Sequence, residues 1–245
     1  MICVFTQTHG DKRSKLYDWK ARDENLNFFI SQFDHSIMSF HNSPDEYRKE
    51  ILKKYNVFKE IKIFNGILYA ECIKRIVDYV KENNFTKFIF FHDDVFSVQK
   101  DREFYEELVD FIKNSSHDMM CLEYEGNPEQ HKVLESRNNF NVFNTTNHDL
   151  VKSDPKIWHF DDAAFVANVK FLDTIYSKEF FAADDRKPWV QDGGHAECIL
   201  RSQMQQKVIP RYVLDKKSLV RCNLVGPSSN KTTEKWLIKR FKEED

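Results

Sequence analysis

A chain of 245 residues, 41% hydrophobic and 31% charged, is long enough for one large domain with a sizeable core and a well-solvated surface. Its 37 basic and 39 acidic side chains leave a formal charge of -2, which argues against a nucleic-acid partner or a polybasic membrane surface but leaves room for a local phosphate site. Five scattered cysteines without a CxxC pair (Cys3, Cys72, Cys121, Cys198 and Cys222) argue for reduced thiols and a cytoplasmic protein, no apolar run nears a membrane span, and MICVFTQTHGDKR lacks the features of a signal peptide.

In chain order, Ile2 to Thr6 reads as a short buried strand and SKLYDWKARD, residues 14–23, as a helix. Asn27 to Asp34, NFFISQFD, is expected as the second strand. The next helix has Ser43 as its cap, Pro44 at its first position and Glu46 closing a capping box, with Tyr47, Ile51 and Tyr55 on one face. Glu60 to Phe64 is a third strand, and Asn65 caps a helix whose inner side carries Ile67, Ala70, Val77 and Val80. KFIFF, residues 87–91, is the fourth strand. It is followed by a helix over residues 101–114 with Phe104, Leu108 and Phe111 facing inward, then by a strand over residues 118–124. Strands separated by helices of this length predict βαβ units, and so an α/β fold with a Rossmann-like, mainly parallel sheet flanked by helices. After Tyr124 the rhythm loosens into a long polar stretch, residues 125–156. Order returns with IWHFDDAAFVANVKFLDTIY, then PWVQDGGHAECILRSQMQQ, where a Gly-Gly turn leads into a helix, and an amphipathic tail, KTTEKWLIKRFKEED. We expect a single domain over 1–245, with a nucleotide-binding half at 1–125 and an irregular acceptor-side half with a C-terminal helix at 126–245.

The fourth strand ends in His92, Asp93 and Asp94. Two carboxylates beside a buried strand end are costly unless a cation compensates them, and a hard divalent ion with phosphate oxygens would do so. The same pair also reads as a helix-capping or turn motif. In parallel sheets ligands gather beyond the carboxyl ends of the strands. On this reading Thr6, Gln7, Thr8 and His9 lie at that end of strand one and Asp34 at that of strand two.

A hydrophobic strand ending in FHDDV within such a half resembles the DxD region of GT-A glycosyltransferases. The resemblance implies a divalent metal, Mn²⁺ or Mg²⁺, holding the diphosphate of a UDP- or GDP-sugar. The three motif positions fall on His92, Asp93 and Asp94, with histidine in place of the first carboxylate. Asp94 is then the direct metal ligand. His92 is a second metal ligand, a contact to ribose or phosphate, or a replacement that weakens metal binding. Thr6, Thr8, His9, Asp34 and Asp93 complete the donor site; Thr6, Thr8 and His9 equally read as an ordinary polar loop, and Asp34 as a cap. In the second half, VQDGGHAECIL resembles the family's acidic residue at a helix start. That implies Glu197, then Asp192, as the base of an inverting transfer, with His195 nearby; Glu197 equally reads as a surface or first-turn carboxylate. Trp158, Asp161 and Asp162 form an aromatic-plus-acid group suited to a sugar ring, or a plain strand-entry turn. The implied acceptor is a glycan, a lipid-linked molecule or a protein.

Three other readings stay open. A nucleotidyltransferase on a similar sheet would use the same acids, with THGDKRSK as its basic loop. A metallohydrolase would gather His9, Asp11, His92, Asp93, Asp94 and His195 around metal. A non-catalytic binding module would keep the fold alone.

Overall fold

The computed structural model describes residues 1–9, 14–122, 132–144, 164–183, 196, 199–200, 212–216, 218–221 and 241. The first half alternates strand and helix: β1 (Ile2–His9), α1 (Ser14–Arg22), α2 (Glu24–Ser31), β2 (His35–His41), α3 (Asp45–Lys54), β3 (Glu60–Phe64), α4 (Tyr69–Glu82), β4 (Lys87–His92), β5 (Val95–Ser97), α5 (Arg102–Asn114) and β6 (Met119–Cys121). Later strands are β7 (Lys132–Ser136), β8 (Asn141–Asn144), β9 (Ala164–Asn168), β10 (Tyr212–Leu214) and β11 (Leu219–Arg221).

Among the described residues, nine strands form one sheet in the order β3-β2-β1-β4-β9-β6-β10-β8-β7, and β5 pairs with β11 in a separate two-stranded sheet. The pairs β3–β2, β2–β1, β1–β4 and β6–β10 are parallel, and β4–β9, β9–β6, β10–β8 and β8–β7 are antiparallel. Following those directions across the sheet, seven strands run one way and β8 and β9 run against them. The expected α/β, mainly parallel architecture is the one observed.

Helices cover both faces, which is why β4 is buried along its whole length. Val4, Ile89 and Phe91 pack with Tyr17, Phe29, Ile51 and Leu108 from α1, α2, α3 and α5. Cys3, Phe5, Phe88 and Phe90 face the other way, onto Ile73 and Val77 of α4 and onto Leu172 and Phe180. Full burial of each β4 phenylalanine contributes about 2 to 3 kcal/mol. Asn84 adopts a left-handed φ of 56° after α4, and the Phe85 amide closes on the Val80 carbonyl at 3.2 Å, so the chain turns directly into β4. At the amino end of β4, the Lys87 ammonium donates to the carbonyls of Ile112 and Ser115, tying down the end of α5.

The structure corrects the second strand. Residues 24–31 are a helix, and the strand follows at His35–His41. The helical signal was present: Asp23 accepts the Leu26 amide at 3.0 Å as a cap, and Leu26, Phe29, Ile30 and Phe33 recur at helical spacing. The expected caps also differ. The Ser43 hydroxyl donates to the His41 carbonyl, so the residue before α3 is Pro44 without a side-chain cap, and α4 begins beyond Asn65, after Leu68.

Cys3, Cys72 and Cys121 are buried thiols. Burial pushes the Cys3 and Cys72 thiols up to about 12. Since the thiolate is the reactive form, iodoacetamide at pH 8 is expected to leave both unmodified in the native protein and to alkylate both in denaturant; peptide mapping reads the difference. Rapid native alkylation at either position would contradict this packing.

Candidate functional site

The carboxyl ends of β1, β2, β3 and β4 lie along one edge of the sheet. In the parallel register Gln7 stands beside His92 and His9 beside His41. The His92–Asp93–Asp94 segment therefore leaves β4 next to the end of β1. All three side chains are buried, at 6%, 1% and 1% exposure. The His92 ring continues the face of Phe90, meeting it edge-on with centroids 5.3 Å apart. Asp93 bears on the opposite face. Burial, and after it the Asp93 carboxylate, holds the Tyr17 phenol well above its ordinary pKa. Alternation along the strand thus separates His92 from Asp93, and the chain turns at Asp93 and Asp94.

The segment beyond the turn is fastened from α1, α2 and α5. The Lys20 ammonium, buried, donates to the Val95 carbonyl at 2.6 Å and lies 4.8 Å from the centre of the Phe96 ring. Asp23, also buried, accepts the Ser97 amide at 2.8 Å and the Ser97 hydroxyl at 2.5 Å. The Tyr105 hydroxyl accepts the Val98 amide at 3.1 Å and donates to the Ser218 carbonyl. Sequence reasoning did not single out Lys20, Asp23 or Tyr105. The available signal was Lys20 on the same helical face as Leu16 and Tyr17, where a charge is out of place unless it has a partner.

Of the residues expected in the donor site, Thr6 and Thr8 stand beside the acidic turn. The Thr6 hydroxyl donates to the Phe91 carbonyl at 2.9 Å, and Thr8 shares a 2.6 Å hydrogen bond with Tyr17. Both are buried, so what they offer is the placement of the β1 end against β4 and α1. His9 closes β1, and its side chain lies outside the described residues.

Asp34 is a correction. It precedes β2 and so lies at the amino-terminal edge, a strand length of about 23 Å from the acidic turn. There it lines a cleft of about 280 Å³ with Gln32, Thr86 and Lys113, away from the strand ends that carry the acids. The residue at the carboxyl end of β2 is His41, whose Nε2 is 2.9 Å from the Ile67 carbonyl. Asn42 follows at a left-handed φ of 51° and accepts the Gly66 amide at 2.8 Å. Displacement of the strand by one helix explains the error. Trp158, Asp161, Asp162, Asp192, His195 and Glu197 lie outside the described residues, as does Asp11.

Among the described residues, no three His, Cys, Asp or Glu side chains converge to hold a metal ion by themselves. A Mg²⁺-like ion instead uses one or two carboxylates plus substrate phosphates. The buried carboxylates of Asp93 and Asp94, at the carboxyl end of β4, suit that second mode. No helix among the described residues is long and apolar enough to cross a membrane.

No family model and no curated protein matches the sequence. Solved structures do match the fold. UDP-glucose pyrophosphorylase complexed with UDP-glucose aligns over 100% of this chain and 99% of its own at 9% identity, with a TM-score of 0.54. The 4-diphosphocytidyl-2C-methyl-D-erythritol synthase of Anaerococcus prevotii aligns over 99% and 98% at 8% identity and 0.53. Residues 1–349 of S. aureus TarS align over 99% of this chain at 12% identity and 0.51; this chain spans 64% of that one. At such identities the likeness establishes the fold.

Proposed function

We propose that the protein is a metal-assisted glycosyltransferase that moves a sugar from a nucleoside-diphosphate sugar to an acceptor hydroxyl with inversion at the anomeric carbon. The observation that carries this reading is the pair Asp93–Asp94, buried at the carboxyl end of β4 and next to the end of β1. Asp94 and His92 would hold Mn²⁺ or Mg²⁺. When bound, the ion neutralises charge on the leaving UDP or GDP. Thr6, Thr8 and Asp93 keep the end of β1 and the acidic turn together, and His9 meets the nucleotide. Glu197 takes the proton from the acceptor hydroxyl, with Asp192 as its alternate. Trp158, Asp161, Asp162 and His195 receive the acceptor. Asp34, at the far edge, has no part in this scheme. Unmodified buried thiols are in keeping with a cytoplasmic protein.

One observation favours a second reading. The full-length matches in both directions are to a pyrophosphorylase and a cytidyl-transferring type of synthase, whereas TarS is matched over part of its length. In a nucleotidyltransferase a sugar-phosphate oxygen would attack the α-phosphorus of a nucleoside triphosphate beside the same acids, and pyrophosphate would leave. Incubation with UDP- and GDP-sugars and with nucleoside triphosphates plus sugar phosphates separates them. Release of nucleoside diphosphate is the expected result. Release of pyrophosphate from the triphosphates replaces this proposal with the second, and release of neither leaves a binding module.

A further inference from the structure

Among the described residues, Lys20 and Lys87 are the buried lysines, and both donate to backbone carbonyls. Lys87 does so at the amino-terminal edge of the sheet, where it caps a helix. Lys20 does so at the carboxyl edge, on Val95, the residue immediately after Asp94. Three residues further along α1 and its junction, Asp23 takes both the amide and the hydroxyl of Ser97 while capping α2 through the Leu26 amide. The strand they hold, β5, is three residues long and pairs with β11 outside the nine-stranded sheet. The ladder that fixes β4 therefore stops at His92, and does not set the direction in which the chain leaves Asp94.

We infer that Lys20 and Asp23 are positioning residues for the acidic turn: by holding Val95 and Ser97 they set where Asp93 and Asp94 stand, and so set the affinity for a divalent cation carrying a nucleoside diphosphate. The inference rests on the donor-site reading above. Its physical basis is that carboxylate ligands bind well only when their own supports are fixed. The Lys20 ammonium is held on the carbonyl of Val95, the residue that directly follows Asp94 in the chain, so its loss frees the exit of the acidic turn.

Lys87 supplies the control, since it has the same chemistry at the opposite edge. Calorimetric titration of UDP and of GDP in Mn²⁺ at 15 °C gives Kd, and thermal melts of the ligand-free proteins give Tm. Lys20→Met keeps the stem and removes the charge, and is expected to weaken Kd about 10-fold or more. Lys87→Met is expected to lower Tm with Kd unchanged. Ser97→Ala, a milder cut in the same clamp, should weaken Kd in the same direction and carries the test if Lys20→Met does not fold. If wild-type Kd persists in Lys20→Met, or in Ser97→Ala where that variant carries the test, the inference is overturned, as it is if Lys87→Met weakens Kd equally. If the wild type itself binds neither diphosphate, the donor-site reading falls and takes this inference with it.

Discussion

Asp94→Asn is expected to abolish the Mn²⁺-dependent rise in melting temperature that UDP or GDP gives the wild type, while the ligand-free protein melts within a few degrees of it. The substitution keeps the shape of a side chain that is 1% exposed and removes its charge. Near-isosteric replacement avoids the cavity that alanine would leave. A hard divalent ion draws its affinity from charged oxygen, which an amide does not supply. Ligand at 100 times its Kd stabilises by about 2.7 kcal/mol. For a chain of this size that corresponds to roughly 5–10 °C. The variant should lose that increment, and a chelator should remove it from the wild type. A Mn²⁺-dependent shift of wild-type size in Asp94→Asn would take the metal away from this turn.

Glu197→Gln is expected to bind the donor as the wild type does and to transfer sugar about 10² to 10⁴ times more slowly. The reason is timing. The acceptor hydroxyl is a weak nucleophile until its proton leaves, and a base acts as the new C–O bond forms. The glutamine keeps volume and one hydrogen-bond acceptor but cannot take the proton. The thermal shift given by UDP or GDP with Mn²⁺ should therefore survive while turnover collapses, the opposite split to Asp94→Asn. Asp192→Asn is the comparison. If the loss of turnover follows Asp192 and spares Glu197, the two exchange roles, and full turnover in Glu197→Gln removes it as the base.

The contrast between the Asp93–Asp94 pair and Asp34 shows how far sequence reading reached. Asp93 and Asp94 were placed correctly at a strand end because the run Phe88–Phe91, set among alternating helices, reads as a doubly covered strand, and the residues after it emerge at its carboxyl edge. Asp34 was misplaced because NFFISQF is apolar enough to pass for a strand. Its helical spacing and the Asp23 cap were weaker signals than its hydrophobicity. A shift of one element moved Asp34 to the opposite edge of the sheet. Thr6 and Thr8 were found at the right strand end, but their hydroxyls are engaged with Phe91 and Tyr17, a matter of which side of β1 faces α1.

By itself the sequence determined the alternation of strand and helix, the burial of β4 on both faces and the emergence of acids at its end. These follow from hydrophobic period and capping, which act between residues a few positions apart. The tertiary structure alone decided that β9 would enter between β4 and β6 against their direction, that β5 would leave the main sheet, and that Lys20 and Asp23 would close on residues 74 and 75 positions away. Those outcomes depend on which strand edges and buried polar groups find partners across the fold, and local pattern does not encode such pairings.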